Sequence, residues 1–234
     1  MSRHVLDRPI WTALTTRQSQ VSVGGGRARR FAPGIGPLAS ACDDSAQSLA
    51  ALEELIPADG SLILLQADPI VLPPSAEAAM TASGVQMVLE SLPPAPDRLD
   101  SRIERLGDED VPAMVALAGL TKPGPFEPGT PRLGDFWGIR ENGVLLAMAG
   151  ERMKQPGYAE VSGVCTHPDA RGRGFARALS AAVAERILDR GETPYLHAYA
   201  SNTAAIRLYE SLGFRLRRPM HVAVLARPRG TVCA

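Results

Sequence analysis

Residues 164–176 read Val-Cys-Thr-His-Pro-Asp-Ala-Arg-Gly-Arg-Gly-Phe-Ala. An apolar strand runs into a turn that carries Arg171, Gly172, Arg173 and Gly174, and the turn opens at once into a helix. Phe175, Ala178, Leu179, Ala182, Val183 and Ile187 fall on one stripe of that helix, and Gly191 supplies its stop. Glycines in such a turn let backbone approach a ligand closely. The helix start adds unpaired N–H groups and roughly half a positive charge. Strand, glycine turn and helix start together suit a diphosphate. A Gly-Arg-Gly triplet alone serves equally well as a plain connection.

The flanking segments extend the pattern. Downstream, 194–199 reads as a strand, and a helix follows from Asn202 to a Gly213-Phe214 stop. Asn202, Ala205, Tyr209 and Leu212 share one face of it, and Asn202 and Tyr209 lie two turns apart. Upstream, 158–166 reads as a strand. Before it, 136–140 and 144–153 flank Glu141-Asn142-Gly143, a hairpin signal. Residues 108–120 read as a helix with Asp108 placed to cap it, and 99–106 as a strand. The Pro- and Gly-rich stretch 121–131 reads as a long loop of the kind that carries function. Pro93, Pro94 and Pro96 mark a domain boundary. This divides the chain into an N-terminal α/β unit, 1–96, and a second domain, 97–234. In the first unit a helix over 45–56 precedes strands at 61–66 and 85–90. Asp43, Asp44 or Ser45 is placed to cap the helix. Gly24-Gly25-Gly26 lacks the strand and the Lys-Ser or Lys-Thr of a phosphate loop and reads as a turn.

Composition bounds the function. The 234 residues are 45% apolar and only 5% aromatic, with formal net charge zero. A zero balance speaks against a protein-wide nucleic-acid or membrane field. Twenty-five Lys and Arg residues include only Lys122 and Lys154 as lysine. Cys42, Cys165 and Cys233 are far apart and lack metal-ligand spacing, so neither a disulfide framework nor a metal site is expected. No apolar run reaches the ~18 residues of a membrane span. The expectation is a reduced, cytoplasmic protein.

Arg-x-x-Gly-x-Ala at 171–176, with Asn202, Ala205, Leu208-Tyr209 and Gly213-Phe214, resembles the GNAT superfamily of acyl-CoA N-acyltransferases. The likeness covers roughly residues 99–225. Leu-His-Ala-Tyr-Ala-Ser-Asn at 196–202 is most similar to the glycine N-acyltransferase-like branch. The resemblance implies an α/β fold: a mixed, mostly antiparallel sheet flanked by helices, beside the smaller N-terminal unit. It implies that the strand pair 158–166 and 194–199 splays to admit a cofactor arm. It further implies acetyl-CoA as cosubstrate, no metal, and direct transfer of the acetyl group to an amine acceptor.

Residue by residue, the resemblance assigns backbone of Val164, Cys165 and Thr166 to the pantetheine arm and thioester. It assigns Arg171, Gly172, Arg173, Gly174, Phe175 and Ala176 to the pyrophosphate, and Asn202 to the cofactor arm. Tyr209 matches the tyrosine that protonates the departing thiolate. Taken alone, it also fits a core aromatic. Glu160 and His197 stand where family members place a base. Each equally fits a strand polar residue with a satisfied partner. Cys165 reads as a small buried residue, since the family transfers directly. The expected acceptor is a primary amine on a small metabolite or an amino acid, with a protein N-terminus or lysine as second choice. A non-catalytic acyl-CoA-binding sensor or partner subunit is the alternative. No nucleic-acid or membrane partner is expected, and a homodimer is allowed. Arg215, Arg217 and Arg218 read as a solvated strand edge.

Overall fold

A computed structural model describes residues 4–93 and 102–228. Pro94, Pro96, residues 99–101 of the expected strand, and Cys233 lie outside the described residues. The chain divides into two units. One holds the segment up to Pro33, Pro37–Gly84 and the segment from Pro219. The other holds Gly34–Gly36 and Val85–Arg218. The division falls within two long strands rather than at the prolines. The reason is that β5 (Glu77–Leu89) and β11 (Phe214–Ala226) each give one half to each unit.

The first unit opens with α1 (Pro9–Thr15). A three-stranded antiparallel sheet follows, β1 (Ser22–Gly24), β2 (Ala28–Phe31) and β3 (Ala39–Ala41), in that order. The triple glycine is the hairpin turn between β1 and β2, where Gly25 N–H donates to Ala28 O at 2.9 Å. In α2 (Ala46–Glu54) the cap is Ser45, whose hydroxyl accepts from Ser48 N–H. Next comes β4 (Ser61–Gln66), which pairs antiparallel with residues 221–226 of β11. Leu52, Ile56, Leu62, Leu64, Ala223 and Leu225 form the core. Arg8 is buried, and its Nη2 meets both carboxylate oxygens of Asp44 at 2.6 Å while Nη1 donates to Ala41 O at 3.2 Å. A buried guanidinium needs such partners.

The second unit contains β6 (Ile103–Leu106), α3 (Val111–Thr121), β7 (Phe136–Glu141), β8 (Val144–Gln155) and β9 (Tyr158–Thr166). It continues with α4 (Phe175–Asp189), β10 (Thr193–Tyr199) and α5 (Thr203–Ser211). Its strands run in the order β11-β5-β10-β9-β8-β7-β6. Pairs β6/β7, β7/β8 and β8/β9 are antiparallel, and β9/β10 is parallel. This is a mixed, mostly antiparallel sheet flanked by helices. Asn142 and Gly143 turn the β7/β8 hairpin with φ of 51° and 78°, as that dipeptide predicts.

One face of the sheet takes α4. Phe175, Leu179, Val183, Ala184 and Ile187 pack on Met87, Ala147, Ala149, Ala159, Val161 and Leu196. Each buried large side chain contributes about 1.5–3 kcal/mol. A second cluster unites Met114, Leu117 and Ala118 of α3 with Phe136, Leu145, Met148 and Cys165. Because side chains alternate along a strand, Gln86, Glu160 and His197 point away from α4. Each sits between two residues that pack with it.

Gly213 ends α5 at φ +89°, a backbone conformation that penalises a side chain, and a Cβ there would lie 1.8 Å from Ser91 O. Gly213→Ala is therefore expected to destabilise the chain by about 2–4 kcal/mol. Urea titration checks this, the expected outcome being a lowered midpoint at unchanged slope.

Candidate active site

The chain leaves β9 at Thr166. His167 N–H donates to Leu146 O at 2.7 Å, and one 3-10 turn, Pro168–Ala170, leads to Arg171. Gly172 and Gly174 follow at φ +76° and +79°, and α4 starts at Phe175. A Cβ at either glycine would meet nothing within 4 Å. The glycines are there for their backbone angles, which point successive N–H groups into one concavity. Residues 171–174 are exposed, Phe175 is buried and Ala176 half-buried. The turn thus presents bare N–H groups at a helix start.

The side chain of Arg173 is engaged elsewhere. It forks onto Glu141 at the hairpin tip, with Nη1 2.9 Å from Oε2 and Nη2 on Oε1. Arg102 Nη1 reaches the same carboxylate at 3.2 Å. Both guanidinium groups lie over the Phe175 ring, at 4.5 and 4.9 Å from its centroid. Hydrogen bonding from Arg173 holds the Glu141 carboxyl below its ordinary range.

Two irregularities shape the strands that lead to this turn. Met148 pairs with Cys165 but Gly150 with Ser162, so β9 carries one extra residue. The bulge includes Gly163, at φ +64°, where a Cβ would come within 2.8 Å of the Phe136 ring. In the other direction, Glu151 pairs with Val161 and Lys154 with Ala159, so β8 carries an extra residue at 152–153, opposite Glu160. Bulges of this kind re-aim side chains and interrupt pairing. The parallel register of β9 with β10 ends at Tyr195↔Glu160, although both strands continue. The pair splays there.

Val164, Cys165 and Thr166 line the β9 side of the splay. Burial pushes the Cys165 thiol up to about 11, which makes it a poor nucleophile. Thr166 Oγ1 is buried and meets no hydrogen-bond partner among the described residues. Such an orphan at the mouth of a splay fits a polar ligand arm.

Below the splay lies a polar cluster. Glu160 is fully buried. It accepts from Arg152 Nε at 2.9 Å, Arg152 Nη2 at 2.7 Å, Met153 N–H at 3.2 Å and His197 Nδ1 at 2.8 Å. Burial alone would push this carboxyl up. The Arg152 charge and hydrogen bonds, with a smaller contribution from His197, outweigh it and bring the group down to about 2. On its other side His197 Nε2 lies 2.9 Å from Gln86 Nε2, and Gln86 Oε1 accepts from Arg217 at 2.6 Å. Glu160 and His197, predicted as separate candidates, are therefore direct partners. Arg217, read as a solvated edge residue, is half-buried and bonded inward.

Tyr209 lies on α5, 9% exposed, with its ring edge-on to Phe214 at 6.0 Å. Burial pushes its phenol up to about 12, so it stays protonated and available as a donor. Asn202 caps α5, its Oδ1 accepting from Ala205 N–H at 3.1 Å, which leaves the amide nitrogen as its donor side. The long loop after α3 borders a cleft lined in part by Phe126, Thr130, Phe136, Arg152 and Ser162. Arg152 is the one charged residue in that lining. Thr130 ties the loop down, donating to Ile35 O at 2.8 Å. Among the described residues, no trio of His, Cys, Asp or Glu is arranged to hold a metal ion.

Sequence reasoning missed Gly163, Arg152, Gln86 and Arg217. A glycine inside a strand was the available signal for the bulge. The other three are joined only by strand order.

A family model described as FR47-like protein matches residues 136–222. A solved structure from Novosphingobium aromaticivorans, described as an acetyltransferase from the GNAT family, is 46% identical. The match covers 97% of this chain and 100% of that one at a TM-score of 0.90. A GCN5-related N-acetyltransferase from Kribbella flavida shares the fold at 18% identity, with 97% and 96% covered and a TM-score of 0.60. A GCN5-related N-acetyltransferase-like protein from Streptococcus suis does so at 16% identity, with 92% of each chain covered and a TM-score of 0.57. No curated protein matches.

The depressed Glu160 carboxyl has a consequence for stability. A group lowered from 4.5 to about 2 on folding stabilises the fold fully above its unfolded value. That contribution is lost as pH falls through the folded value. Urea midpoints measured from pH 5 downward should therefore fall more steeply for the wild type than for Glu160→Gln. Parallel curves would mean that the carboxylate is not held this way.

Proposed function

The chain is a member of the GNAT family of acetyltransferases, and from that premise we propose that it moves an acetyl group from acetyl-CoA to the primary amine of a small metabolite or amino acid. The observation that carries this reading is the parting of β9 from β10 above Glu160, with the glycine turn at the end of the same strand. One opening thus joins a diphosphate cradle to a buried acid–base cluster.

An acyl-CoA supplies an activated thioester carbonyl. N–H groups of Gly172 to Ala176 hold the diphosphate, with Arg171, whose N–H is bonded back to Pro168 O at 3.3 Å, at the edge of the turn. Backbone of Val164, Cys165 and Thr166 holds the arm, and a strand N–H stabilises charge on the carbonyl oxygen. The Asn202 amide donates to the arm. Tyr209, protonated throughout the physiological range, donates to the leaving sulfur. The acceptor must lose a proton to attack. Glu160, held near 2, is too weak a base for an ammonium ion. Its part is to orient His197 and stabilise the imidazolium formed when His197 Nε2 takes the proton through water, a step that gives up the Gln86 contact at 2.9 Å.

The pocket beside Arg152 supports a small acceptor. Its lining is mainly apolar, with two phenylalanines and three prolines or glycines of the loop, and its guanidinium is committed to Glu160. That suits an acceptor with a modest apolar group beside its amine, and offers nothing to the second charge of a polyamine.

Thiol release from acetyl-CoA, measured across amines, amino acids and peptides, tests the reading. Small primary amines or amino acids should release thiol faster than peptides do. Tight acetyl-CoA binding without release for any acceptor would instead indicate a binding protein.

Tyr209→Phe should lower kcat about 10²-fold, within the range for a lost general acid. The KM for acetyl-CoA should stay within about twofold. Unchanged kcat for every accepted amine would remove the phenol from the mechanism.

A further inference from the structure

Five side chains from five neighbouring strands form a row across one face of the sheet. They are Arg217 on β11, Gln86 on β5, His197 on β10, Glu160 on β9 and Arg152 on β8. The contacts along the row measure 2.6, 2.9, 2.8 and 2.7 Å. Gln86 and Glu160 are fully buried, and the His197 side chain is 8% exposed.

The directions of these bonds are fixed by chemistry. A guanidinium only donates, so the Gln86 oxygen faces Arg217 and its amide nitrogen faces His197. An amide nitrogen also only donates, so His197 Nε2 must accept. The ring proton then sits on Nδ1 and is donated to Glu160. Turning the Gln86 amide over would set its NH2 against Arg217, donor to donor. Protonating Nε2 would set two donors against each other at the 2.9 Å contact. Glu160 pulls the opposite way, since a buried carboxylate beside an imidazole favours imidazolium.

We infer that Gln86, oriented by Arg217, is a positioning residue that keeps His197 a neutral imidazole with its lone pair on Nε2. Only the consequence for turnover rests on the acyl-transfer reading; the state of the ring does not. Beside a carboxylate such as Glu160, a histidine tends to arrive already protonated and useless as an acceptor. The amide donor from β5 opposes this. Charged or titratable groups facing the ring are Glu160 from β9, with Arg152 behind it on β8, and Arg217 behind Gln86 on β11. Tyr195 on its own strand stands edge-on at 5.5 Å.

Nitrogen-15 NMR of histidine-labelled protein at neutral pH tests the inference, with His197 assigned by its loss in His197→Gln. In the wild type Nδ1 should be protonated and Nε2 bare. Gln86→Glu replaces the donor by a carboxylate that accepts from both neighbours, so both ring nitrogens should become protonated. Arg217→Met removes the donor on the amide oxygen and should move the ring the same way. It keeps the test available if Gln86→Glu folds poorly. For Gln86→Glu, kcat at neutral pH should fall about tenfold or more, as expected for a lost general base, and recover as pH rises. The KM for acetyl-CoA should stay within about twofold.

A wild-type spectrum showing imidazolium or the Nε2–H tautomer would overturn the inference. So would unchanged His197 shifts in both variants. If the shifts move as expected but His197→Gln transfers acetyl groups at the wild-type rate, the hold on the ring stands and the base role of His197 in acyl transfer falls.

Discussion

A parallel strand pair that stops pairing while both strands continue leaves backbone N–H and C=O groups facing a gap. Buried backbone groups rarely go unpartnered, so the gap between β9 and β10 must be bordered by something that tolerates it. Here that is a bulge at each side of Glu160. The one at 163 turns β9 away, and the one at 152–153 lets β8 deliver a guanidinium and an N–H to the Glu160 carboxylate. The opening for a ligand arm and the buried charge cluster are thus two results of the same irregular register. Restoring regular pairing would close the splay and strand the carboxylate.

Burying that carboxylate is costly unless its lone pairs are filled. Four donors converge on it, from β8, from the β8 backbone and from β10. Such saturation fixes geometry, and it removes basicity. A carboxylate held near 2 organises its neighbours rather than accepting a proton from an amine. The row continues from it to the imidazole of His197, which meets Glu160 on one side and Gln86 on the other.

The parts legible in the sequence are those that local patterning specifies. The α4 stripe from Phe175 to Ile187, the Asn142-Gly143 hairpin and the glycine turn at 172–174 each follow from spacing or backbone angles within a few residues. The linked positions Asn202 and Tyr209 were legible because one helix carries both. What could not be read is set by register between distant strands. Gln86 and Arg217 are 131 positions apart, and nothing in either local context marks them as partners. Arg152 looked like one more polar residue in a strand until a bulge aimed it at Glu160. The first sixty residues read as weakly patterned because their strands are short and their helix α1 spans only 7 residues. Their order comes from contacts such as Arg8 with Asp44, which no periodicity announces.

The phosphate turn itself changes meaning in the structure. Two arginines beside two glycines suggest that side-chain charge does the binding. Yet Arg173 is committed to Glu141, so its field at the turn is largely cancelled by the carboxylate it holds. What the turn offers a diphosphate is backbone: N–H groups aimed by two left-handed glycines and backed by the start of a 15-residue helix. Backbone donors cannot swing away or be neutralised by a passing carboxylate. Such donors suit a diphosphate by geometry, whereas Arg173 and Arg102 tie the turn to the hairpin tip and Phe175. The glycines set the backbone angles of that turn, and they are also the residues whose spacing first makes the site visible.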